Sequence, residues 1–138
     1  MRIIEALKKH IASCPLLASG ALVHVDMFGH EPVSYSVGSL PGARVVEKFL
    51  SGARTMEYPY TVSLSDYTIE DVDRLRSLGF LEDFAEWLEL HPPDLGEGRE
   101  TERNEATNWA YLFEVDSGAQ TGIYQIQCKL TYYEEAKE

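Results

Sequence analysis

The side chains able to do chemistry in this sequence are numerous, but their spacing is uninformative. Four histidines occur, His10, His24, His30 and His91. His24 and Asp26 fall on one face of an alternating segment, with His30 and Glu31 close behind. Imidazole and carboxylate both serve as metal ligands. A third ligand would have to come from an unconstrained turn, so the reading favoured is a solvated strand face with no metal. His91 precedes Pro92-Pro93, a position expected at a helix C-terminus, where a cation is mildly favourable. Cys14 and Cys128 are two cysteines far apart in sequence, too few for a disulfide framework or a thiolate zinc site. They are expected to be reduced, buried thiols. No G-x-S-x-G, P-loop or G-x-G-x-x-G pattern occurs, and Gly96-Glu97-Gly98 is too short a match to carry meaning. Carboxylates are plentiful, but a glycosidase-like pair must face across a cleft, which spacing alone cannot establish. The expectation is no catalytic residue, no metal ligand and no cofactor-binding residue.

The elements that would position any such groups follow from the pattern. The length of 138 residues fits one domain over residues 1–138, and an apolar share of 44% argues against disorder. Twenty-three acidic against 12 basic residues give a formal net charge of -11. That sign repels phosphate, and no basic stripe offers the counterion release on which sequence-independent nucleic-acid binding depends. No apolar run approaches the length of a membrane span. The opening MRIIEALKKHIAS reads as an amphipathic helix, with Ile3, Ile4, Leu7 and Ile11 on its stripe, and not as a signal peptide. A cytosolic origin is therefore expected.

Strands are expected over Ala21–Phe28, Val33–Val37 and Met56–Leu64, and over Val45–Leu50 in preference to one helical turn. In the last of these Met56, Tyr58, Tyr60, Val62 and Leu64 share a face, and Pro59 suggests an edge or a bulge. Thr68 is the expected cap of a helix whose stripe starts with Ile69, Val72 and Leu75 and continues, past Gly79, through Leu81, Phe84, Ala85 and Leu88. One kinked helix or two short ones would fit, ending at Pro92-Pro93. The polar DLGEGRETERN then predicts a mobile surface loop at about 92–106. A closing hairpin turns at Asp116-Ser117-Gly118, with Trp109, Tyr111, Phe113 and Val115 alternating before it. After it, Tyr124, Ile126, Cys128, Leu130 and Tyr132 occupy one face. The fold class expected is α+β: a mainly antiparallel sheet with helices on one side, in the order helix, strands, helix, C-terminal β-hairpin.

The other face of the last strand carries Gln125, Gln127, Lys129 and Thr131, neutral or weakly charged. Either it is an ordinary solvent face or it packs against a neighbouring subunit. With Glu57, these four residues form the candidate subunit interface.

Four segments together resemble the tailed-phage family usually called minor capsid protein 3: IIEALKKHIASCPLLASG, YSVGSLPGARVVEKFLSGARTMEYPY, GFLEDFAEWLE and YLFEVDSGAQTGIYQIQCKLTYY. The resemblance spans nearly the whole chain, and its specificity lies in the ordered set of segments. It implies a tail terminator, also called a tail completion or head–tail joining protein. Such a protein forms a hexameric ring on the tail tube protein, ends tube polymerisation and meets a head-completion or connector protein. DNA passes through the ring without sequence-specific binding. The resemblance implies no enzymatic activity and no cofactor, and a place in the virion tail or neck after assembly in the host cytoplasm. The alternatives are another neck or minor capsid component, or a small cytosolic bacterial ligand-binding module.

Overall fold

The computed structural model describes residues 1–29, 31 and 33–137. The element order is α1 (Ile3–Ala12), β1 (Val23–Val25), β2 (Ser34–Ser39), β3 (Arg44–Lys48), β4 (Arg54–Tyr67), α2 (Asp71–Leu90), β5 (Arg99–Ala106), β6 (Tyr111–Asp116) and β7 (Thr121–Glu134). Two 14-residue strands, β4 and β7, pair antiparallel along their whole length, from Arg54↔Glu134 to Tyr67↔Thr121. At ~3.3 Å per residue they form a spine about 45 Å long. Each carries two short strands end to end on its outer edge, β2 and β3 along β4, β6 and β5 along β7. β1 completes a seven-stranded sheet by pairing with β2.

The period-2 pattern builds the core. Cross-strand neighbours Tyr60 and Cys128, Val62 and Ile126, and Leu64 and Tyr124 are all buried, and β2 adds Val37 opposite Val62 and Tyr35 opposite Leu64. These side chains form one hydrophobic cluster with Leu7 and Ile11 of α1 and Leu81, Phe84 and Leu88 of α2. Full burial of each large apolar side chain contributes roughly 1.5–3 kcal/mol.

The α+β class and the mostly antiparallel sheet agree with the sequence expectation, and several details correct it. β1 is three residues long and lies parallel to β2, not hairpinned to it. Asp26 adopts φ 61, which ends the strand early and leaves Met27 exposed. Pro59 lies in the middle of a central strand, not at an edge. Its carbonyl accepts the Leu40 N–H at 3.0 Å, so its nitrogen points to that same flank. There β2 has already ended at Ser39, so the missing donor falls just outside the paired register.

α2 is one unbroken 20-residue helix through Gly79. Its N-cap is Glu70 and not Thr68: the Glu70 N–H donates to Asp73 Oδ2 at 3.1 Å. The expected start of its stripe is solvent-facing, since Ile69, Val72 and Leu75 are all exposed. At the other end His91 Nδ1 pairs with the Trp87 carbonyl at 2.8 Å before Pro92-Pro93.

Most of the segment expected as a loop at about 92–106 is strand. Arg99–Ala106 forms β5 and pairs with β7, adding a third strand to the expected hairpin. Arg99 and Arg54 clamp Glu134 from two strands, at 3.0 and 2.9 Å, and the side chain of Glu134 is only 10% exposed. Burial acts to raise the carboxyl pKa, but the hydrogen bonds and charges of the two guanidinium groups outweigh it and hold it below the ordinary range.

Candidate subunit interface

The five residues singled out from the sequence come together on the polar face of the β4–β7 spine. Gln125 stands opposite Ser63, Gln127 opposite Thr61, Lys129 opposite Pro59 and Thr131 opposite Glu57. Period 2 puts all of them on the face away from Tyr60, Val62 and Ile126. They are half-buried, and β2 extends the face with Ser34 and Ser36, both buried.

Much of this face is tied within the chain. Glu57 lies 3.3 Å from Arg44 Nε and 3.9 Å from Lys129 Nζ, linking β3, β4 and β7. Tyr111 Oη donates to Gln125 Oε1 at 3.1 Å. The Gln127 N–H donates to Asn108 Oδ1 at 2.8 Å, and its carbonyl accepts the Thr107 N–H at 2.8 Å. Side chains held in this way, such as Glu57 and Gln125, lose little entropy on contacting a neighbour. A groove of about 290 Å³ crosses the face between Phe28 and Phe113, with Ser36, Thr61 and Ser63 among its lining residues.

The sheet edges are built differently from the face. β3 shifts register between Val45 and Glu47, β5 between Thr101 and Arg103, and β6 between Leu112 and Glu114. Each outer strand of the spine other than β2 thus contains an irregularity, and β1 outside β2 has three residues. Bulges and very short strands blunt an edge against strand addition. Contacts with another protein are therefore better made through side chains than by extending the sheet.

The β6 bulge also alters the expected alternation. Tyr111 faces Gln125 on the polar side, Leu112 packs against the core, and Phe113 and Val115 are exposed. Sequence periodicity missed this because one extra residue reverses every later side chain. It also missed the two most prominent apolar exposures. Leu50, at the β3–β4 hairpin tip, is fully exposed, and Trp109, between β5 and β6, is 81% exposed. The only sequence signal was a large apolar residue next to Ser-Gly in one case and Asn in the other.

Other candidate chemistry resolves into local structure. His24 Nε2 meets Glu31 Oε1 at 2.6 Å, and this hydrogen bond lowers the Glu31 carboxyl pKa. His30 lies outside the described residues. Among the described residues no group of three or more His, Cys, Asp or Glu is placed to hold a metal ion. Cys14 and Cys128 are both buried free thiols, and burial pushes Cys128 up to about 12, far from a reactive thiolate. His10, Trp87 and His91 form a continuous stack, with centroids 4.8 and 5.1 Å apart. Burial lowers the His10 pKa.

Compared with known proteins, the chain matches no family model and no curated protein.

Proposed function

We propose that this chain is a non-enzymatic structural subunit that assembles with other copies of itself into a ring, capping a phage tail tube and joining tail to head. The observation that carries the assembly reading is the set of large apolar side chains left in solvent, with Leu50 and Trp109 foremost, on a chain of net charge -11. In this reading the exposed apolar side chains are the contact points, and the charge keeps the unassembled chain dispersed. The phage tail setting rests on the resemblance of the four sequence segments.

In this reading both helices lie on one side of the sheet, supported by the single core they share with Tyr60, Val62 and Ile126. The opposite face, with Gln125, Gln127, Lys129, Thr131 and Glu57, is then the broad surface presented to a neighbouring subunit. A ring built this way holds an acidic lumen that lets DNA slide without sticking, because like charge repels the duplex.

Electron microscopy of the purified protein, alone and mixed with tail tubes, tests the proposal. Rings with a central opening, or caps at tube ends, are expected. Monodisperse monomers that leave tube ends bare would refute it, and a strongly basic bore would refute the sliding role.

A further inference from the structure

The β3–β4 hairpin carries a projecting tip that its own chain does not cover. The Phe49 N–H donates to the Ala53 carbonyl at 2.9 Å and the Gly52 N–H to the Phe49 carbonyl at 3.0 Å, which closes the turn. Gly52 supplies the φ of 93 the turn requires. Phe49 packs on Tyr133, with ring centroids 6.0 Å apart. Leu50 is thereby held outward with no cover. Residues 44–54 contain three basic residues, Arg44, Lys48 and Arg54, and one acidic residue, Glu47. Arg44 and Arg54 are engaged by Glu57 and Glu134, while Lys48 forms no ion pair among the described residues.

A groove of about 480 Å³ between α2 and the β5–β6 connection has the opposite character. Glu82, Asp83, Glu86, Glu89 and Glu105 line it, and no basic residue does. Of these, Glu105 alone has an ion-pair partner among the described residues, Arg103 at 3.5 Å. Trp109 stands at this groove, and Ala85 and Ala110 give it apolar surface. The groove therefore offers, beside its carboxylates, an aromatic anchor of the type enriched at the energetic centres of protein interfaces.

These two surfaces cannot meet within one chain. The hairpin flanks β4, whereas β5 and β6 flank the far side of β7. Along the spine, Arg54 at the hairpin base and Val62, the partner of Ile126, are eight residues apart, about 26 Å. We propose that the hairpin tip of one copy docks in the α2–Trp109 groove of a second copy, with Leu50 against Trp109 and Lys48 among the carboxylates. Two unlike surfaces joined in this way make a head-to-tail contact, which repeats around a ring or along a filament. The inference rests on the self-assembly reading above and adds to its polar sheet face a second contact, at a different surface.

The test uses two single variants of the full chain, Leu50→Asp and Trp109→Ala, followed by light scattering over a concentration series, with and without tail tubes. Each variant alone is expected to self-associate at least about 30-fold more weakly than the parent chain. An equimolar mixture is expected to form a 1:1 heterodimer, because one intact tip meets one intact groove. Lys48→Glu is expected to weaken association and Glu86→Lys to restore it in combination; both sites are on the surface, so this pair remains informative if Trp109→Ala misfolds. If both single variants assemble like the parent, the tip-and-groove contact is wrong and self-assembly stands. If the parent remains monomeric under every condition, both readings fall.

Discussion

Tyr60 and Asn104 form a buried polar contact that links the centre of the sheet to its edge. Tyr60 Oη donates to Asn104 Oδ1 at 2.6 Å, across β7 from β4 to β5. Tyr60 is fully buried and Asn104 is 4% exposed. The other end of the amide, Nδ2, has no partner among the described residues. Tyr60→Phe therefore leaves the Asn104 side chain unsatisfied at both ends, a loss of roughly 1–3 kcal/mol. With an unfolding entropy of ~2.1 cal/mol/K per residue over 138 residues, each kcal/mol shifts Tm by about 3 °C. A fall in Tm of roughly 3–10 °C is expected. Asn104→Leu removes the orphaned amide and leaves the buried Tyr60 hydroxyl without its acceptor. The double variant Tyr60→Phe/Asn104→Leu leaves no polar group stranded and is expected to be more stable than the sum of the singles by about 1–2 kcal/mol. Urea denaturation of all four proteins measures this. A loss below about 0.5 kcal/mol for Tyr60→Phe, or singles that add within about 0.5 kcal/mol, would refute the reasoning.

Two further outcomes are expected. The lowered Glu134 pKa makes its two-arginine clamp fully stabilising above the ordinary carboxyl value of 4.5, with the contribution fading as pH falls from there through the lowered folded value. Chemical denaturation from pH 7 to pH 3 should therefore show a shallower acid loss in Glu134→Gln than in the parent, and identical slopes would sink the assignment. Gly122→Ala should lose roughly 1–3 kcal/mol, because the added Cβ would lie 2.6 Å from Thr68 Cγ2 and 2.9 Å from the Glu114 carbonyl oxygen; an unchanged urea midpoint would contradict that packing.

The alternation of β4 and β7 was legible because Met56–Leu64 and Tyr124–Tyr132 each present one apolar face, which admits only one register against the helices. α1 was legible for the same reason, through Ile3, Leu7 and Ile11. β5 was not: RETERNEA has no apolar alternation, and it is a strand because β7 offers an unpaired edge and Glu134 holds Arg99. The helical stripe at Ile69, Val72 and Leu75 met the periodicity rule yet is exposed, since periodicity identifies an apolar face but not what covers it. The candidate residues Gln125, Gln127, Lys129 and Thr131 could be placed on one face from β7 alone. Their union with Glu57, Ser36 and Ser63 required the pairing of three strands far apart in sequence.

The sequence alone determined which residues of the two long strands face the core, because burial of apolar side chains acts residue by residue and is written in the alternation. Only the tertiary structure decided where the chain leaves Leu50 and Trp109 in solvent and which charges surround them. Those surfaces depend on bulges, turn geometry and the neighbours each strand acquires, and these are properties of contacts between distant segments.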